Sequence, residues 1–122
     1  MASMVEDVNE ILYDAAEGSG LDELILIGEE GLVIGSHGKD NFVDLLNLVS
    51  IKLHKPIIEL ACDSSGVHFD EVVTTTADKM RFCFRFFKVD GDDYVLAAVF
   101  PKKRAYRRAT NIAIRRLKKL LG

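Results

Sequence analysis

The sequence predicts an α+β domain, an antiparallel sheet with helices on both faces, and three observations carry this expectation. Leu21 to Ser36, LDELILIGEEGLVIGS, hold two short β-rich runs around a Gly-containing polar turn, the pattern of a hairpin. Lys79 to Phe100 hold two further runs around Asp90-Gly91-Asp92-Asp93, a second hairpin turn. Amphipathic segments of helical period stand at the start, middle and end of the chain. Leu24 to Ile27 and Tyr94 to Phe100 are apolar without alternation, so each demands cover on both faces. Short connections between strands make the pairing mostly antiparallel.

The first helix is marked by Val5, Val8, Leu12 and Ala15 at helical spacing, with Ile11 and Ala16 beside them. Ser3 suits its N-cap with Glu6 as capping-box partner, and Gly18-Ser-Gly20 ends it. The hairpin follows, with a buried first strand and a more exposed partner at Leu32 to Ile34, closed by Gly35 and Ser36. Gly28 and Gly31 are expected to supply positive φ angles to its turn. His37-Gly38-Lys39 reads as a loop. Asp40 or Asn41 caps a second helix, whose stripe is Phe42, Leu45, Leu46, Val49, Leu53, Ile57 and Leu60. Pro56 within that stripe predicts a kink or a restart near Ile57.

Asp63-Ser-Ser-Gly66 closes the second helix, and three strands come next. Val67 to Thr76 mixes β-branched with polar residues, as a sheet edge does. It carries no Pro and no Lys, so the edge is unprotected and invites pairing with another chain. In Lys79 to Val89, Met80, Phe82, Phe84 and Phe86 share one face, and Arg81, Cys83, Arg85 and Phe87 the other. Tyr94 to Phe100 is expected at the sheet centre, with Leu96 deeply buried. The last helix is predicted from about Lys103 to Leu121. Tyr106, Ala109, Thr110, Ala113, Leu117, Leu120 and Leu121 form its apolar face. Arg104, Arg107, Arg108, Asn111, Arg115, Lys118 and Lys119 form the opposite face. The order is α-β-β-α-β-β-β-α, one domain over residues 1–122.

This order resembles the Roadblock/dynein light chain family across Val5 to Leu121. The resemblance rests on the acidic first helix, on Gly20-Leu-Asp-Glu-Leu leading into ILI, and on the turn GEEG before LVIGS. The long helix, three strands and final helix that follow complete it. It implies a five-stranded antiparallel sheet of order 2-1-5-4-3 between the second helix and the first and last helices. It further implies a non-catalytic homodimer that binds or modulates a small Ras-like GTPase, or serves a scaffold. The dimer contact it implies uses the second helix and the edge strand, here Leu46, Leu53, Val67, Phe69, Val73 and Thr75. Pro56 and the wholly basic face of the last helix depart from the family pattern.

Composition sets the outer limits. The chain has 122 residues, 48% hydrophobic and 29% charged, a globular balance able to bury a real core. Cys62 and Cys83 are isolated and the N-terminus is acidic rather than leader-like, which points to a cytoplasmic protein with reduced thiols. Net charge is −3, yet nine of the sixteen basic residues lie between Lys102 and Lys119, with no acid among them. The rest of the chain holds seven against all nineteen acids, a net −12.

Little of this sequence spells catalysis. Gly38-Lys39 brushes a phosphate loop, but Val33 stands where the first Gly belongs and Asp40 replaces the hydroxyl. His37, His54 and His68 lie on different elements without metal-ligand spacing, so no metal and no cofactor is expected. Asp90, Asp92 and Asp93 lack the remainder of a calcium loop. No enzyme and no small-molecule substrate are read here. The basic face, Arg104, Arg107, Arg108, Arg115, Lys118 and Lys119, is the sharpest functional feature. It reads as a solvated face, as a partner of the acidic body, or as a contact for an acidic protein surface. Nucleic acid or an anionic membrane is the alternative partner. The acidic pI of about 5.6 and the lack of interleaved aromatics speak against nucleic acid, and a membrane-surface helix needs bulky apolar residues free to insert, whereas Leu117, Leu120 and Leu121 are expected to pack on the sheet.

Overall fold

The computed structural model describes residues 3–29, 31–38, 70–77, 79–101 and 103–122. Helix α1 (Met4–Ser19) starts from a complete capping box: the Ser3 hydroxyl accepts from the Glu6 amide, and Glu6 reaches back to the Ser3 amide. It ends at Gly20, whose φ of 74° is the left-handed cap conformation. The strands are β1 (Glu23–Ile27), β2 (Val33–Gly38), β3 (Glu71–Thr75), β4 (Met80–Val89) and β5 (Asp92–Pro101). The chain closes with α2 (Arg107–Leu121). All pairings are antiparallel and the order is β2-β1-β5-β4-β3. The fold class and strand order agree with the sequence expectation.

Side-chain alternation splits the sheet into two buried faces. On one, Leu24, Leu26, Cys83, Phe87, Leu96, Ala98 and Phe100 pack with Val8, Leu12 and Ala16 of α1 and Ala113 and Leu117 of α2. On the other, Ile25, Ile27, Phe84, Val95, Ala97 and Val99 form a second cluster. The β1 strand is buried at all five positions and lies between β2 and β5, which is why its sequence has no polar alternation. The expected second helix falls outside the described residues. With it go its Asp40 or Asn41 cap, the Pro56 kink, and the placement of Cys62, His54 and His68.

Local details differ from the expectation at five places. His37 and Gly38 belong to β2 rather than to a loop. They are drawn in by α1, since Gly35 lets that helix approach so closely that a Cβ there would sit 2.5 Å from Val8 Cγ1. The Asn9 side chain also accepts from the Ser36 amide at 2.9 Å. Among the described residues of the first hairpin only Gly31 takes a positive φ, 85°; Gly28 does not. The second hairpin turns on two residues, Asp90 (φ 51°) and Gly91 (φ 86°), so β5 starts at Asp92. The edge strand covers Glu71–Thr75, with Asp70 an exposed bend before it.

Helix α2 starts four residues later than the expected Lys103. A turn closes first, with the Arg104 amide donating to Pro101 O at 2.9 Å. The Tyr106 ring then stacks on Phe100, centroids 4.8 Å apart, and Tyr106 becomes the N-cap without a side-chain bond.

Candidate functional site

Two surfaces of the described residues present unspent chemistry: the open edge at β3, and the outer face of α2 with the groove beside it. The edge follows from hydrogen-bond alternation. Asp70 O accepts from the Phe86 amide at 3.0 Å, and the Thr76 amide donates to Met80 O at 2.8 Å. Even positions of this segment therefore face β4, and the amides of Glu71, Val73 and Thr75 face outward. Among the described residues no strand pairs with β3 on that side. Val73, 38% exposed, and Thr75 lie on the sheet face that carries the two described helices. Leu46, Leu53, Val67 and Phe69 lie outside the described residues.

A polar network ties this edge to the start of α2. Glu71 accepts hydrogen bonds from the Tyr106 hydroxyl and from the Arg107 guanidinium, and the Cys83 thiol approaches it at 3.8 Å. Its carboxylate is largely buried, at 14% exposure, while Arg107 remains 64% exposed. Behind it, Arg85 Nη1 donates to the buried Thr110 hydroxyl at 2.6 Å, and that hydroxyl donates to Tyr106 O at 2.9 Å. Burial first, and then the negative charge of Glu71, push the Cys83 thiol from an ordinary 9.0 up to about 12. Burial and the bond to Glu71 push the Tyr106 hydroxyl up as well.

The predicted basic face is exposed throughout: Arg104, Arg107, Arg108, Arg115, Lys118 and Lys119 all face outward. Three cations of this region are engaged by the acidic body. Arg107 pairs with Glu71, and Arg116 with Asp14 of α1 at 2.8 Å. The Arg104 guanidinium lies over the C-terminal cap of α1, where a Cβ on Gly20 would come within 3.0 Å of it. That position suits a cation beside the negative end of the α1 dipole. Arg108, Arg115, Lys118 and Lys119 have no ion pair among the described residues.

Sequence reasoning missed the groove between α1 and α2. It holds about 500 Å³ and is lined on one side by Ile11, Asp14, Ala15 and Gly18, and on the other by Arg104, Arg108, Ala109 and Ile112. The Asp14–Arg116 pair that bridges it joins residues 102 positions apart, so no local pattern announces it. Among the described residues no group of three or more His, Cys, Asp or Glu is placed to hold a metal ion. No described helix is long and apolar enough to cross a membrane.

Strand order, the two helices on one face and the cap geometry together define a Roadblock/LC7-type fold. Among solved structures, the chain is similar to Myxococcus xanthus MglB at TM-score 0.79 and 16% identity, over 99% of this chain and 92% of that one. It is similar to the gliding protein MglB of Thermus thermophilus at TM-score 0.72 and 18% identity, over 98% and 92%. A Roadblock/LC7 domain from Streptomyces avermitilis follows at TM-score 0.65 and 15% identity, over 93% of each chain. No protein-family profile and no curated protein sequence matches the chain.

Proposed function

We propose that this chain is a non-catalytic, homodimeric regulatory or scaffold module that binds or modulates a small Ras-like GTPase. The observation that carries this reading is the likeness to MglB structures over nearly the whole of both chains. The outward amides of β3 support the dimer, because an edge that no described strand pairs, free of Pro and Lys, is a template for a second copy. The absence of a catalytic constellation from the sequence pattern agrees with a binding role, and the reduced-thiol reading supports a cytoplasmic setting for it.

The test is affinity purification of the tagged chain from its native host, with bound proteins identified by mass spectrometry. A small GTPase enriched over an untagged control, and responsive to added GTP analogue, is the expected result. Its consistent absence would remove the GTPase from the proposal. The four cations of α2 without an ion pair among the described residues favour a second reading, nucleic acid or an anionic membrane as partner. The net −12 of the remaining chain opposes it. A sub-micromolar dissociation constant for duplex DNA at about 150 mM salt would promote that second reading.

A further inference from the structure

The groove between α1 and α2 combines two properties that a solvated helix face does not need. Its floor and walls are apolar and small: Ile11, Ala15, Ala109, Ala113 and the 43%-exposed Ile112. At Gly18 an added Cβ would meet nothing within 4 Å, so the groove stays open at that end of α1. Its rim is cationic, with Lys103 and Arg104 in the turn before α2 and Arg108 in the first turn of α2, while Asp14 is neutralised by Arg116. An occupant must therefore fill a concave apolar trough and bring negative charge to its borders. The lining residues of α1 run from Ile11 to Ser19, roughly two helical turns. That length matches an apolar ridge at positions i, i+4 and i+7 of a docked helix.

We propose that this groove seats an acidic amphipathic helix supplied by a partner protein. The site shares no residue with β3 and does not depend on the GTPase reading. A polyanion such as duplex DNA has no ridge for the apolar floor, and a bilayer needs protruding apolar residues, whereas this surface is concave. The acidic helix α1 of a second copy is a poor occupant, because its own apolar residues Val8, Leu12 and Ala16 are committed to the sheet.

The test is a fluorescence-anisotropy titration of the full chain with a labelled sixteen-residue helical peptide at about 150 mM salt. The peptide carries Leu at i, i+4 and i+7, with Glu on both flanks. The expected result is saturable low-micromolar binding, weakened about tenfold or more by Ile112→Asp and by Arg108→Glu. Both side chains are exposed, so the thermal midpoint serves as a folding control, and Arg108→Gln is the milder variant if Arg108→Glu fails it. A peptide with Lys flanks should bind the Arg108→Glu variant better than it binds the parent, a reversal that a structural effect does not produce. Four outcomes would overturn the proposal: no saturable binding, equal binding of a peptide with its Leu residues scrambled around the helix, displacement of the peptide by duplex DNA or anionic vesicles, or self-association of the chain that Ile112→Asp abolishes. A failed search for a GTPase leaves this titration unaffected.

Discussion

Leu96 sits fully buried on the central strand, paired with Leu26 on one side and Arg85 on the other, and packed in the cluster that α1 and α2 close. Truncation to Ala removes its contacts and leaves a cavity that rigid neighbours fill poorly. Leu96→Ala is expected to cost about 2–5 kcal/mol, read from the urea midpoint. An unchanged midpoint would contradict a central β5. Cys83 makes a chemical prediction from the same core. Its thiol is inaccessible and is held protonated up to about 12 by burial and then by Glu71. Iodoacetamide at pH 8 is expected to modify the Cys83 peptide only as the protein unfolds; rapid labelling of folded protein would contradict the burial. The sign of the pH effect follows. The unfolded chain releases this proton near 9 and the folded chain near 12. Its contribution to stability is therefore complete below pH 9 and is lost as pH rises toward 12.

Elements written by local signals were legible in the sequence. The Ser3–Glu6 box, the alternation of Met80 to Phe87 and the uninterrupted apolar run of β5 each depend on neighbours a few residues away. Elements set by distant contacts were not. His37 and Gly38 have weak strand character, yet α1 recruits them through Gly35 and Asn9. The start of α2 is set by Tyr106 stacking on Phe100, which no cap residue announces. Part of the candidate site was legible for the same reason: the basic face of α2 obeys helical period, whereas the groove needs residues from opposite ends of the chain. The Glu71 network also lay beyond sequence reasoning, and it yields a prediction for β3. Glu71→Ala strips the shared acceptor of Tyr106 and Arg107, and is expected to cost about 1–3 kcal/mol and to speed hydrogen exchange in β3. Arg107→Ala, which removes the exposed partner, should cost less. Equal costs for the two would contradict a buried, shared carboxylate.

At the scale of the whole molecule the sheet has two edge strands, β2 and β3, and no described strand accepts the outward amides of β3. The opposite edge differs, because α1 packs along β2 and Asn9 takes up one of its amides. The asymmetry favours one side of the sheet as the meeting place of two copies, in a closed, self-complementary contact. Val73 is the residue at which to break it, since its amide faces outward and its side chain is not part of the core. Val73→Pro removes an edge donor while sparing the β4 ladder. The most direct measurement is multi-angle light scattering of the parent and the Val73→Pro variant at tens of micromolar. The account predicts twice the 13.6 kDa chain mass for the parent and a shift toward 13.6 kDa for the variant. A parent that scatters as a monomer, or a variant that remains fully dimeric, would contradict it.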